Sequence, residues 1–258
     1  MLKILIKLAY TFWPSLYKKR FFKSLDSLPT GHFKCEPELL YLNQVLKDDS
    51  VFIDIGTNKG IYLYQAEKII TRGAIIGFEP NKKLVAFVSK LFKTAKVYPF
   101  AVSSKSGVSV LNIPKKGNGL QDTRASLESL GDEVEKIEIE TVRLDDWAAK
   151  QGITKIDLIK IDVEGHEFDS IKGCEVILKT IRPVFIIEIE LRHATYPIEA
   201  IFSFIANFGY DVFYFDRKKL MPVSFDVSQM ADFQKDEYLN DFNLYINNFI
   251  FVPKQSNL

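Results

Sequence analysis

The sequence is poor in the features that mark several large classes of protein. It has two cysteines, Cys35 and Cys174. That count allows one disulfide at most and argues against a secreted disulfide scaffold. With no Cys-x-x-Cys and no Cys/His cluster, it also argues against a structural zinc site. Charge of one sign is not in excess: 34 Lys+Arg stand against 33 Asp+Glu, a net charge of +1. Phosphate binding normally shows as a basic surplus, so no nucleic-acid partner is expected. No apolar run approaches the ~20 residues needed to cross a bilayer. There is no internal repeat and no low-complexity tract. The dinucleotide fingerprint Gly-x-Gly-x-x-Gly is missing too, which counts against a nicotinamide-dependent oxidoreductase.

What remains is ordinary globular material. The chain has 258 residues, 47% of them hydrophobic and 26% charged. That length suits one large α/β domain with enough core to need no covalent staple. Residues 1–45 read as an N-terminal helical extension and residues 46–258 as the main domain. The extension opens with apolar and aromatic residues interrupted by Lys3 and Lys7, followed by Lys18, Lys19, Arg20 and Lys23. It lacks the continuous apolar core and cleavage site of a signal peptide. Two readings stay open for it: a helix packed on the domain or a partner, or a peripheral membrane contact on an anionic surface. The expected location is cytoplasmic, with membrane association through this segment as the variant reading.

From Val51 the pattern alternates between strand and helix. Short apolar runs at 51–55, 74–78, 97–102, 156–161 and 184–189 read as strands, as do 210–215 and 244–252. Helices are expected over 59–70, from an Asn81 cap to about 93, and over 198–207. Residues 108–113 and 137–142 are β-rich, around a polar loop. Strands separated by helices of this length imply βαβ units and a mostly parallel sheet, with the ligand outside the carboxyl ends of the strands. The polar residues at those ends are Asp54, Glu79, Ser103, Asp162 and Glu188.

The run Asp54-Ile-Gly-Thr-Asn-Lys-Gly60 is a strand, a glycine turn and a helix start. Gly56 lets the backbone turn tightly and approach a ligand, and Gly60 lets the helix begin close to the strand. Glu79 ends the next strand 19 residues after Gly60. An acid at that distance can accept hydrogen bonds from both hydroxyls of a ribose. The spacing resembles the S-adenosylmethionine turn of class I methyltransferases. With no pyrophosphate to cradle, a carboxylate at Asp54 is tolerable beside the cationic methionine end.

A second run, Ile156-Asp-Leu-Ile-Lys-Ile-Asp-Val-Glu-Gly-His-Glu-Phe168, resembles the signature of FkbM-type methyltransferases. Phe52–Gly60, Gly77–Asn81, Ala101–Ser104, Ala125–Leu127 and Val142–Asp146 support the resemblance in the family's order, over roughly residues 50 to 192. The resemblance implies a Rossmann-like methyltransferase domain, S-adenosylmethionine as cofactor, and O-methylation of a hydroxyl on a sugar, glycan or secondary metabolite. It implies a cofactor turn of Asp54, Gly56, Thr57, Asn58 and Gly60, ribose recognition by Glu79, and an adenine-side segment at Ala101 and Val102. It places Asp162, Glu164, Gly165, His166 and Glu167 at the strand end beside the transferred methyl.

The acceptor oxygen must be aligned with that methyl and relieved of its proton. Asp162, Glu164 and His166 are the candidates for that task, His166 titrating nearest neutrality. A rival role for the same acids is a divalent metal held between Asp162 and Glu188; oxygen ligands suit such an ion, but no metal site is expected. Glu167 reads equally well as an acid favouring a helix N-terminus. Glu190, Arg192 and His193 are candidates for the acceptor pocket, as is Ser126. The rival functions are a binding module that kept the fold without the chemistry and, more remotely, the oxidoreductase.

Overall fold

The computed structural model describes residues 38–116, 119–120, 134–216, 221–239 and 244–254. The basic aromatic segment 1–23, Cys35, Ser126 and Phe242 lie outside them, so the readings placed there have no structural counterpart. In chain order the elements are α1 (Glu38–Val45), β1 (Val51–Ile55), α2 (Ile61–Ile69), β2 (Ala74–Phe78), α3 (Lys82–Leu91), β3 (Ala95–Tyr98), β4 (Phe100–Val102), β5 (Gly107–Lys116) and β6 (Gly119–Leu120). They continue with β7 (Val134–Val142), α4 (Leu144–Lys150), β8 (Leu158–Ile161), α5 (Glu167–Lys172), α6 (Glu175–Thr180), β9 (Val184–Glu188), α7 (Ile198–Ala206), β10 (Tyr210–Asp216), β11 (Met221–Ser224), α8 (Met230–Phe233) and β12 (Asn248–Pro253).

The main sheet has the order β11-β10-β12-β9-β8-β1-β2-β3. The strands from β3 through β2, β1 and β8 to β9 are all parallel, while β12 enters antiparallel between β9 and β10. Chain direction reverses its walk across the sheet between β1 and β8. That switch point leaves a crevice at the carboxyl ends of those strands.

Strand alternation divides the core cleanly. Ile53, Ile55, Ile159, Ile161, Phe185, Ile187, Phe249 and Phe251 face α4 to α7. Phe52, Leu158, Ile186 and Ile250 face α1 to α3. Each helix offers a matching stripe, such as Ile198, Ile201, Phe202 and Ile205 on α7. Leu39, Tyr41 and Leu42 of α1 pack in the same cluster as Phe52 and Leu63, so this helix is part of the domain's own core. The aromatic tail is core as well: Phe215, Phe249 and Phe251 are buried.

One expected strand divides. Residues 97–102 read as a single strand, but β3 ends at Tyr98 and β4 begins at Phe100. Pro99 stands between them and has no N–H to give a ladder. The chain leaves the main sheet there and pairs β4 with β7 in a second sheet of order β4-β7-β5-β6. That sheet has its own small core of Ala101, Leu111, Ile113 and Ile139. The helix over 81–93 forms as expected, and Asn81 caps it by accepting from the Lys83 N–H at 3.0 Å.

Candidate active site

The first motif builds the floor of the site. Gly56 adopts φ +83°, and a Cβ on it would stand 1.7 Å from the Asp162 carbonyl oxygen. Only a glycine lets β1 and β8 meet this closely at the switch point. The Gly56 and Thr57 N–H groups both bond to the Phe78 carbonyl, at 2.9 and 3.1 Å, and Thr57 Oγ1 donates to the Asp54 carbonyl at 3.0 Å. Asn58 follows at φ +49°, a left-handed conformation that asparagine tolerates better than most residues. The Glu79 carboxylate holds it there, accepting from the Asn58 N–H at 2.8 Å and from the Asn81 N–H at 2.9 Å.

Above this floor lies a cavity of about 220 Å³ lined by Asp54, Gly56, Thr57, Asn58, Lys59, Ile61, Tyr62, Lys160 and Asp162. It brings most of the expected cofactor turn together with Asp162. Gly60 opens α2 just behind it, and Glu79 reaches it through the Asn58 N–H. Ala101 and Val102 are not part of its lining; they are buried in β4. Lys59, Ile61, Tyr62 and Lys160 line it without having been singled out from the sequence. Lys160 left a signal, a charged residue inside the apolar strand Leu158–Ile161, since lysine is almost never fully buried without partners.

The cavity suits an adenosyl amino acid. Asn58 Oδ1 is buried with no hydrogen-bond partner among the described residues, so it awaits a donor from a ligand or water. Carboxylates and ammonium groups line the same space, as a zwitterion requires.

The second motif builds the neighbouring wall. Glu164 and Gly165 take φ +50° and +98°, turning the chain sharply after β8. This turn places Asp162, Glu164, Gly165 and Glu167 with Glu188, Glu190 and His193 around a cavity of about 10 Å³. That is room for one water-sized group. Asp162 is the residue common to both cavities.

The acids here are not equivalent. Burial pushes the Glu167 carboxyl up, against the pull of the Gly165 N–H, and the Asp162 charge adds to the rise. Glu167 also accepts from the Tyr196 hydroxyl at 3.1 Å. Burial alone would raise Glu190, but His193 and Arg192 beside it bring the carboxyl down to about 2. Arg192, considered for an anionic acceptor, is paired with Glu190 instead. His193 Nε2 stands 3.3 Å from Glu190 Oε2 and 3.5 Å from Glu164 Oε2, with no aligned hydrogen bond among the described residues. His166 is turned elsewhere: its Nε2 shares a 3.0 Å hydrogen bond with Ser103 Oγ, and it does not line this cavity. Among the described residues, no three His, Cys, Asp or Glu side chains are arranged to hold a metal ion. Cys174 is fully buried, and burial pushes its thiol well up, out of reach of nucleophilic chemistry.

The mostly parallel sheet with its switch point between β1 and β8 and the glycine turn above it are those expected of a class I, S-adenosylmethionine-dependent methyltransferase, and a family match makes that assignment. Residues 54–212 match the family described as the Methyltransferase FkbM domain, and the chain belongs to that family. The oxidoreductase reading falls with this match. Two curated relatives are similar to it. The 2-O-methyltransferase NoeI of Sinorhizobium fredii is 26% identical over 197 residues, covering 70% of this chain and 80% of that protein. The hexuronic acid methyltransferase AglP of Haloferax volcanii is 28% identical over 145 residues, covering 54% and 56%. A crystal structure of an FkbM methyltransferase from Methylobacillus flagellatus aligns with 93% of this chain and 60% of that one, with 13% identity and a TM-score of 0.49. No described helix is long and apolar enough to cross a membrane.

Proposed function

We propose that the protein transfers a methyl group from S-adenosylmethionine to a hydroxyl of a sugar or glycan. The observation that carries this reading is the position of Asp162, which borders the cofactor cavity on one side and the carboxylate-lined cavity on the other. The two relatives, a 2-O-methyltransferase and a hexuronic acid methyltransferase, favour oxygen and carbohydrate as the target.

When bound, the cofactor supplies an electrophilic methyl group on a positively charged sulfur. The protein's own residues do the rest. Gly56 and Asn58 shape the floor, and Glu79 fixes the turn and is the acid that meets the ribose hydroxyls. The small cavity admits a single hydroxyl but no sugar ring, so the ring rests outside it. Asp162 accepts the proton of that hydroxyl as the oxygen is methylated, and Glu164 and His193 line the same cavity. His166, bound to Ser103, positions the start of α5 against the end of β4. Five carboxylates surround this point, so a second anionic group near the reacting hydroxyl is disfavoured. A neutral glycoside is the better acceptor.

The test is transfer of a labelled methyl from S-adenosylmethionine to a panel of methyl glycosides, neutral and uronic, with an amine panel alongside. Label on a neutral glycoside oxygen is the expected result. Label on an amine and on no sugar would refute the reading.

A further inference from the structure

Lys160 is a cation in an apolar strand, 1% exposed, with no place in the chemistry above. In the β1–β8 register it stands opposite Asp54, which is also buried. Its Nζ donates to Asn248 Oδ1 at 2.7 Å and sits 5.1 Å from the centre of the Tyr62 ring. Asn248 is in turn the register partner of Glu188, on the wall of the acidic cavity. Asp54, Tyr62 and Lys160 all line the cavity above the glycine turn.

A buried ammonium is costly, and a fold keeps one where an anion compensates. Asp54 supplies one negative charge. The cavity, however, holds Asp162 as well, and its ligand brings both an ammonium and a carboxylate. Asp54 and Asn58 Oδ1, which has no hydrogen-bond partner among the described residues, suit the ammonium. The carboxylate needs the opposite sign. Among the described residues, two cations line the cavity: Lys59, exposed on the turn, and Lys160, beneath it. Water screens the first; the second acts in a low-dielectric setting where its charge is felt far more strongly.

We infer that Lys160 recognises the α-carboxylate of the cofactor's amino-acid end, making it a specificity residue for the cofactor. This rests on the reading that the cavity above the glycine turn holds that end. Lys160 is then the feature that separates S-adenosylhomocysteine from analogues lacking the carboxylate.

The experiment is calorimetric titration with S-adenosylhomocysteine and with its decarboxylated analogue, which keeps the amine and loses only the carboxylate. Proteins are the wild type, Lys160→Met, Lys160→Gln and Lys59→Gln, each checked by thermal melting. Wild type is expected to bind S-adenosylhomocysteine about tenfold or more tightly than the analogue, the scale of a charge-assisted hydrogen bond. Lys160→Met is expected to abolish that preference while leaving analogue binding nearly unchanged. Lys160→Gln keeps a donor for Asn248 and serves if the methionine variant does not fold. Equal binding of both ligands by wild type overturns the inference without recourse to any variant. So does a preference that survives in the Lys160 variants or vanishes in Lys59→Gln. Failure of the wild type to bind either ligand refutes the placement of the cofactor itself.

Discussion

At the scale of single residues, the same few side chains serve both structure and chemistry. Glu79 reads from sequence as a ribose acid, and in the fold its two oxygens also hold the Asn58 and Asn81 N–H groups. Glu79→Gln therefore does more than remove a charge. The amide can accept one of those N–H groups but presents a donor to the other, leaving a buried N–H unsatisfied at about 1–3 kcal/mol. A lower melting temperature and weaker S-adenosylhomocysteine binding are both expected. A variant that melts and binds like the wild type would contradict the role given to Glu79. Residues in the glycine turn were legible because turn geometry demands particular residue types at particular spacings. Lys160 was harder to read, because its importance comes from Asp54, Tyr62 and Asn248, all distant in sequence. His166, inside the motif, faces Ser103, whereas His193, from the loop after β9, closes on Glu164 of the motif and on Glu190 three residues before it.

At the scale of elements, some strands of the central sheet could be read to the residue, because they are short apolar runs ended by glycine or a charge. Val51–Ile55 and Ala74–Phe78 are such cases. The runs at 156–161 and 244–252 begin later than read, at Leu158 and Asn248, and Met221–Ser224 was not read. Short helices were harder. α5 and α6 have six residues each, too few for a 3.6-residue period to declare itself. Their stability comes from outside. The buried Asp145 carboxylate accepts from the Val176 N–H at 2.9 Å and the Ile177 N–H at 3.0 Å, capping α6 from α4, and Arg143 neutralises it at 2.6 Å. Asp145→Ala removes that cap. A loss of about 1–2 kcal/mol in urea unfolding is expected, with S-adenosylhomocysteine affinity little changed. A loss within error of zero would show that the cap is decorative. The second sheet was not anticipated either. The strand pattern of β5 and β7 was visible, but a switch of sheet at Pro99 depends on partners that local sequence does not name.

At the scale of the whole molecule, the sheet order brings two distant motifs to one crevice. The turn after β1 and the turn after β8 are about a hundred residues apart in sequence, yet Gly56 packs on the Asp162 carbonyl. One motif forms the cavity proposed for the cofactor, the other the carboxylate wall, and Asp162 belongs to both. The parallel α/β architecture could be read from the alternation of elements; the division of labour at the crevice could not, because it depends on side-chain directions after two left-handed turns. The account stands on Asp162 as the meeting point of cofactor and acceptor. The most direct test measures labelled methyl transfer to the preferred glycoside and S-adenosylhomocysteine affinity on the same preparations of wild type and Asp162→Asn. A fall of about a hundredfold or more in turnover is expected, the scale of a lost general base, with a far smaller change in affinity. Turnover equal to wild type, or a loss of turnover no greater than the loss of affinity, would contradict it.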